Sequence, residues 1–326
     1  MSTLGNNLRA GAPLTKIVIE GEAVTREATI LGEEPSLGAL TELQGSWVGK
    51  GFNLIALPDF HNKKPFRLML NTTIETLEFK PITAPIPNRG NTQDDITFLG
   101  LTYVQKVNDA ITSETLHLES GMWLNLSANP KQPNASVVRM STIPHGNSLL
   151  AQGPSLVDDG PPIIGDADAT PFFLDANGNR VNDPNEQYLL PYKNAPLPPG
   201  IARAAVLNPN IILRDAIKAQ EAEGRKVVRT VVLFVHATPV GGINGTTPPQ
   251  GKDGGIVNIP FVVTNANANS MSAIFWIETV QNADGSQFMQ LQYTQTVILD
   301  FPVIGANGQP FDIRWPHISV ATMIKG

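Results

Sequence analysis

The side chains best suited to chemistry in this sequence are its five histidines, since the chain contains no cysteine. Without cysteine there are no disulfides, no thiolate nucleophile and no cysteine-ligated metal centre. His317 lies in RWPHISVATMIKG at 314–326, which has the composition of a buried strand rather than of a polar terminus. An imidazole in such a strand has two interpretations: it binds a ligand or metal, or it is a core histidine with a hydrogen-bond partner.

The period-two pattern of this strand predicts what surrounds His317, because successive side chains of a strand point to opposite faces. The two faces are Trp315, His317, Ser319, Ala321 and Met323 on one side, and Ile318, Val320, Thr322 and Ile324 on the other. Both faces carry apolar residues, which predicts that both are covered. The small residues beside His317 leave room for a flat ligand, with Trp315 and Met323 as its apolar walls.

The elements that must position these residues are predicted to be strands. Alternation at period two runs through RLMLNTTIETLEF at 67–79, and further segments of strand composition follow, separated by short turns. Charged residues make up only 16% of the chain, while glycine and proline number 28 and 27, which favours turns over long solvated helices. The expected fold is mainly β, an antiparallel up-and-down β-barrel with an insertion that contains one helix. That helix is predicted near 209–223, with Asn208 as its cap, Pro209 in its first turn and Gly224 at its end.

The same patterns divide the chain into four parts. Residues 1–42 form an N-terminal extension, and residues 43–153 form the first part of the barrel. Residues 154–269 form an insertion with the helix and further strands, and this insertion begins with a stretch rich in proline, glycine and aspartate. Residues 270–326 supply the closing barrel strands. A chain of two domains, divided near residue 154, is the alternative.

Two of the predicted strands resemble a known group of barrels. LQGSWVGKGFN at 43–53 is similar to the opening strand of the nitrobindin-like branch of the fatty-acid-binding-protein and lipocalin-like barrels, which begins with Gly-x-Trp-x-Gly-x-Gly. LHLESGMWLNL at 116–126 resembles that family's His-x-Glu-x-Gly strand through His117, Glu119 and Gly121. The resemblance implies a closed barrel with an internal site.

The resemblance also implies a cofactor, heme b, and it covers roughly 43–153 and 270–326. The family's closing strand carries a histidine near the C-terminus, the proximal iron ligand, and His317 falls at that place. His145, in STIPHGNS, takes the place of a threonine on the distal side. A distal histidine is able to act as a general acid or base on bound peroxide, with Arg139 as an electrostatic helper. These residues imply activity on small oxidants, as a heme-dependent peroxidase or a peroxynitrite isomerase, although the sequence leaves open whether the chain is an enzyme.

The alternative function is a non-catalytic carrier of an apolar small molecule, of the fatty-acid-binding type. A third possibility is an assembly domain whose partner surface is 154–269. A small-molecule ligand is the expected partner, because the net charge of −6 offers no basic patch for nucleic acid. No stretch reaches the ~18 apolar residues of a membrane span. The N-terminus has no apolar signal-peptide core, so a cytoplasmic location is expected.

The remaining candidates have structural explanations. His117 is expected at a strand rim, paired with a nearby carboxylate or with solvent, His61 in a loop, and His236 in the core. DANGNRVNDPNE at 175–186 has oxygen-bearing residues at the spacing of a calcium-binding loop, but Arg180 stands where the sharp turn needs glycine. A hairpin turn is therefore the preferred interpretation of this loop.

Overall fold

The alternation predicted at 67–79 becomes an alternation of burial over 73–79, in the strand that these residues form. In this computed structural model, strand β2 (Lys64–Pro81) buries Thr73, Glu75 and Leu77 and exposes the residues between them. The structure describes residues 36–126, 136–183, 186–237, 254–304 and 310–326.

Strands dominate these described ranges, with 58% of residues in strands and 13% in helices. The strands are β1 Gly45–Asp59, β2 Lys64–Pro81, β3 Ile86–Asn88, β4 Ile96–Asp109, β5 Thr115–Asn125, β6 Val137–Ile143, β7 Asn147–Gly153, β8 Ser155–Asp159, β9 Phe172–Leu174, β10 Arg180–Asn182, β11 Lys226–Ala237, β12 Gly254–Asn258, β13 Asn267–Gln281, β14 Gln287–Ile304 and β15 Pro310–Lys325. The helices are a 3₁₀-helix Gly38–Leu43 and the α-helices α1 Leu190–Asn194, α2 Ala204–Leu207, α3 Asn210–Ala222 and α4 Pro260–Asn265.

The longest strands close into an antiparallel barrel. Their order around it is β1-β2-β4-β5-β6-β7-β11-β13-β14-β15, and β15 pairs with β1 to complete the ring. Successive neighbours run antiparallel, so the predicted up-and-down barrel is confirmed. A barrel of this size has room inside for a small ligand.

The segment 154–269 is not wholly separate from the barrel. Its strand β11 lies in the barrel wall, paired with β13 on one side and with β8 and β7 on the other. The rest of the segment includes α3, which packs on the outer surface of β14 and β15. There the side-chain amide of Gln292 donates to the carbonyl of Leu213 at 3.1 Å. This cover explains why Ile318 and Val320 are fully buried, as the apolar character of both faces of the closing strand predicted.

The predicted helix forms, but its cap differs from the expectation. Helix α3 begins at Asn210, and the side chain of Asn208 does not cap it. That side chain instead accepts the backbone N–H of Ala167 at 3.0 Å and donates to Asp166 at 2.6 Å, so it fastens the preceding loop to the helix start. Gly224 follows the helix with a left-handed φ of +78°, as predicted for its end. The segment also contains the shorter helices α1, α2 and α4, where the sequence predicted one helix.

Residues from Pro35 to Gly326 form one compact unit, without the division near residue 154 that a two-domain chain needs. The end of the predicted N-terminal extension joins this unit, since Leu40 is fully buried. The first 35 residues lie outside the described ranges. Among the described helices, none is both long and apolar enough to cross a lipid bilayer.

The glycines of the opening strand let two strands approach closely. Gly51 of β1 lies opposite Ala321 of β15. A Cβ atom at Gly51 would lie 2.4 Å from the carbonyl oxygen of Val320 and 2.7 Å from the carboxylate of Glu75. Only glycine fits at this point of the barrel wall without a shift of its neighbours.

Candidate functional site

The interior of the barrel contains a cavity of about 380 Å³. This volume is within the range of small-molecule sites, roughly 300–1,000 Å³. Most of the lining is apolar and comes from the strands and from α4: Ile55, Leu57, Met69, Val107, Leu116, Ile143, Leu149, Ile256, Val262, Ala266, Ala268, Met271, Val297 and Leu299. The polar lining residues are Asn53, Asn71, Gln105, His117, Glu119, His145, Asn147, Tyr293, Gln295, His317 and Ser319. Three of the five histidines therefore face one cavity.

His317 lines this cavity from β15, as its place in the sequence predicted. Its Nε2 lies 2.8 Å from the side-chain oxygen of Asn53, which also accepts the hydroxyl of Ser319 at 2.9 Å. An amide oxygen only accepts hydrogen bonds, so Nε2 carries the hydrogen and Nδ1 carries the lone pair. Burial, followed by the charges of His117 and His145, lowers the pKa of His317 to about 3. The imidazole is therefore neutral at physiological pH.

His145 lies on the side of the barrel opposite β15, in the tight turn between β6 and β7. The turn is made possible by Gly146, whose φ is +104°. The ring of His145 is 5.8 Å from the ring of His117, centroid to centroid. Burial, and then the charge of His117, lowers the pKa of His145 below its usual value. The structure thus brings both histidines of the predicted heme site to one cavity and adds His117 to them.

His117 is held by a carboxylate, as predicted for a paired rim histidine, but it faces the cavity. Its Nε2 lies 3.2 Å from Oε2 of Glu119, two residues further along β5. Glu119 is fully buried, and its other oxygen accepts hydrogen bonds from Arg139 at 2.7 Å and from the hydroxyl of Tyr103. Burial alone would raise the pKa of the Glu119 carboxyl, but the Arg139 guanidinium, His117 and the Tyr103 hydroxyl together outweigh it and bring this pKa below the usual range. The carboxylate beside His117 therefore stays charged.

Arg139 does not line the cavity. Its guanidinium is committed to Glu119, to the hydroxyl oxygen of Tyr103 at 2.9 Å and to the side-chain oxygen of Gln295 at 2.6 Å. It also lies over the ring of Phe275, 5.4 Å from the centroid. The structure therefore places Arg139 one layer away from a ligand, where it acts on Glu119 rather than directly on a bound oxidant.

A second buried carboxyl group, Glu75, lies behind the lining residues Gln105 and Tyr293 and has no cationic partner among the described interactions. Glu75 accepts hydrogen bonds from Thr73 at 2.7 Å and from the hydroxyl of Tyr293 at 2.5 Å. Gln105 donates to the same hydroxyl oxygen at 3.0 Å. Burial raises the pKa of the Glu75 carboxyl. The two buried carboxyl groups near the cavity therefore differ: Glu119 is charged, and burial favours the neutral acid at Glu75.

The two apolar walls predicted beside His317 lie elsewhere in the barrel. Trp315 stacks on Phe301 with ring centroids 5.0 Å apart and contacts Phe66, so it belongs to an aromatic cluster outside the cavity lining. Met323 is fully buried opposite Gly49 of β1 and is not part of the cavity lining. Val297 and Leu299 of β14 line the cavity near His317 instead, and Val297 is the direct register partner of His317.

The other candidates have structural roles. His61 is exposed in the turn between β1 and β2, and His236 lies in β11 opposite Ser272. The loop at 175–186 begins as a hairpin turn between β9 and β10, in which Asp175 accepts the backbone N–H groups of residues 177 and 179. Within the described ranges, no three acidic, histidine or cysteine residues are grouped closely enough to hold a metal ion.

Sequence reasoning missed most polar residues of the cavity. Asn53 and Gln295 both face inward, and both interrupt an otherwise apolar alternation in their strands. A polar residue on the buried face of a strand was the available signal, because such a residue needs a partner. The partners themselves lie on strands distant in sequence, and a single strand pattern does not reveal them.

Comparisons with known proteins add little to this geometry. No protein-family model matches the chain, and no curated protein matches it. Among solved structures, the chain is similar to Rv2717c from M. tuberculosis, at 15% sequence identity over 90% of this chain and 98% of that chain, with a TM-score of 0.40. A match at this level does not establish a shared fold or function.

Proposed function

We propose that the barrel cavity binds heme and that His317 ligates the iron. The observation that supports this most strongly is the state of His317: a neutral imidazole inside a largely apolar cavity, with Nε2 fixed on Asn53. Metal-bound histidines commonly donate their second ring N–H to an oxygen acceptor, which fixes the orientation of the ring. In this arrangement Nδ1 is the nitrogen that carries the lone pair for the iron.

The rest of the donor set fits the same group. Ser319 holds Asn53 in place, and the small side chain of Ser319 leaves space beside the imidazole. His145 and His117 lie across the barrel from His317, where they are able to hydrogen-bond a molecule bound at the distal side. Bound heme would supply redox and peroxide chemistry at its iron. The chain itself would supply a ring nitrogen of His317 to the iron, an apolar enclosure and proton-exchanging groups, which suits small oxidants such as peroxide or peroxynitrite.

The test is a titration of the full chain with hemin, followed by the Soret band, in wild type and in His317→Ala. Loss of an outer partner of a metal ligand costs about 10–100-fold in affinity, so loss of the ligand itself should cost at least that much. The Soret band of the variant should also change in position. His61→Ala is the matched control, because this exposed histidine lies in a turn and should leave both the affinity and the spectrum unchanged. Identical spectra and affinities for wild type and His317→Ala would contradict the proposal.

A carrier of an apolar small molecule is the second candidate, and the apolar lining of the cavity favours it. The two functions separate in one experiment. A chain that takes up an apolar fluorescent probe but gives no Soret band with hemin is a carrier. A chain in which hemin displaces the probe and develops a Soret band that depends on His317 has the proposed heme site.

A further inference from the structure

We infer that His117 is the acid–base group of this cavity, and that it accepts the proton of a small apolar molecule with one weakly acidic O–H group. The inference deepens the proposed function and rests on the cavity being a small-molecule site. It does not need the iron, because it concerns only side chains of the chain and the O–H group of the guest.

The first support is the pairing of His117 with Glu119 on the inner face of β5. A carboxylate only accepts hydrogen bonds, so the 3.2 Å contact between Nε2 of His117 and Oε2 of Glu119 puts the hydrogen on Nε2. The lone pair of the neutral ring is then on Nδ1. Fixing the tautomer in this way is what the carboxylate does in histidine–carboxylate pairs that act as general bases.

The second support is the anchoring of the carboxylate. Glu119 is held by Arg139 and Tyr103, and all three residues are almost completely buried. Arg139 is in turn held by Gln295, so the carboxylate has little freedom to turn away from His117. When His117 takes up a proton, a fixed negative charge is already beside it, which stabilises the imidazolium without reorganisation.

The third support is the contrast with the other groups that face His117. His145 in the β6–β7 turn and His317 in β15 have pKa values lowered by burial, and neither has a carboxylate in hydrogen-bond contact among the described interactions. Glu75 of β2 also interacts with His117 through its charge, but burial favours the neutral acid there. Of the three imidazoles, His117 is therefore the one that a carboxylate holds by a hydrogen bond.

The proton transfer needs no other reactant. The O–H bond of the guest breaks, its electron pair stays on the guest oxygen, and the proton forms the N–H bond at Nδ1 of His117. Glu119 remains a carboxylate and Arg139 remains a cation, so the pocket then holds an imidazolium beside the guest anion. Glu119 is a positioning residue in this step, since it acts through His117.

The probe for the test is p-nitrophenol, because its phenolate absorbs visible light and its neutral form does not. The full chain without added hemin is mixed with the phenol across a pH series, and the apparent pKa of the bound phenol is read from the phenolate absorbance. A cationic neighbour within 4–6 Å lowers the pKa of an acid by about 1–3. The phenolate-to-phenol ratio of the bound probe should therefore be at least about tenfold higher than that of the free probe at the same pH.

Variants identify the group responsible. His117→Gln should abolish the shift but still bind nitrobenzene, which has the same shape and no acidic proton. Glu119→Gln should reduce the shift, while His61→Gln, altered in an exposed turn, should keep it in full. The inference is overturned if wild type binds no p-nitrophenol, if the bound phenol shows no shift, if His117→Gln retains the shift, or if His145→Gln loses it instead.

The failure of this inference is distinguishable from the failure of the proposed heme site. The Soret band reports the bond between His317 and hemin, whereas the phenolate absorbance of the hemin-free chain reports the proton taken up by His117. If wild type shows no phenol shift but its hemin titration depends on His317, only the role of His117 is refuted. If the phenol shift depends on His117 but the chain gives no Soret band that depends on His317, only the proposed heme site is refuted.

Discussion

Replacing Arg139 with methionine should destabilise the protein strongly at neutral pH and much less in acid. Arg139 is 1% exposed, and its guanidinium holds the carboxylate of Glu119 at 2.7 Å. Methionine keeps much of the apolar volume between the rings of Tyr103 and Phe275 but removes the charge. Breaking one side of a buried ion pair costs about 3–5 kcal/mol, a large part of the ~5–15 kcal/mol by which a domain is stable.

The pH dependence follows from the pKa of Glu119. In wild type this pKa is below its unfolded value, so the pair stabilises the fold above about pH 4.3, and this stabilisation is lost as the pH falls through the folded pKa. In Arg139→Met the cation is gone and burial raises the pKa of Glu119 above its unfolded value. The variant is then least stable at high pH. Its stability rises again as the pH falls, because the buried Glu119 carboxyl takes up a proton.

Urea denaturation followed by tryptophan fluorescence, at pH 5 and pH 7.5, measures both effects. The double variant Arg139→Met/Glu119→Gln should regain most of the lost stability at pH 7.5, since it leaves no buried charge. Arg89→Met is the matched control, because Arg89 forms an exposed ion pair with Asp95 at 2.6 Å that is worth about 0–1 kcal/mol. A loss below about 1 kcal/mol at pH 7.5, or an equal loss at both pH values, would refute the reasoning.

Three further changes test other parts of the structure. Glu278 is fully buried, and burial raises its pKa to about 8. Wild type should therefore lose stability, on the order of a few kcal/mol, as the pH rises from about 4.5 to 8. Glu278→Gln should remove this loss in urea denaturation at pH 5 and 8. Gly51→Ala should cost about 1–3 kcal/mol in thermal unfolding because its Cβ meets the Val320 carbonyl, whereas Gly165→Ala, with open space around it, should cost far less. Gly224→Ala should cost about 1 kcal/mol in the same measurement, because its left-handed φ strains any side chain, and an unchanged melting temperature would contradict this assignment.

The barrel was predictable from the sequence because its signals are local. The alternation through 67–79 and the short polar turns between strands each depend on neighbouring residues. The place of β11 was not predictable in the same way. This strand enters the barrel wall after a long insertion, and its pairing with β13 and β7 is a long-range property that its own composition does not encode.

The candidate site was likewise predictable only where its signals are local. His317 and His145 were identified from the character of single segments, and both reach the cavity. Trp315 lies on the same face of β15 as His317, but its part of the strand extends beyond the closed ring of the barrel. Its indole therefore packs in an aromatic cluster instead of lining the cavity. The partnership of Glu119 with Arg139 joins β5 to β6 through side chains, and only the folded register shows it.

The pairing of β1 with β15 has a consequence for how the chain reaches this fold. The two strands that close the ring lie at opposite ends of the described sequence, so the ring stays open until β15 has left the ribosome. Until then β1 and β14 each present an unpaired edge, and such edges are templates for pairing with other chains. Contacts so distant in sequence also slow the final step of folding. Newly made chains that lack β15 are therefore the species most prone to aggregate, and they are the first that chaperones and proteases would have to handle.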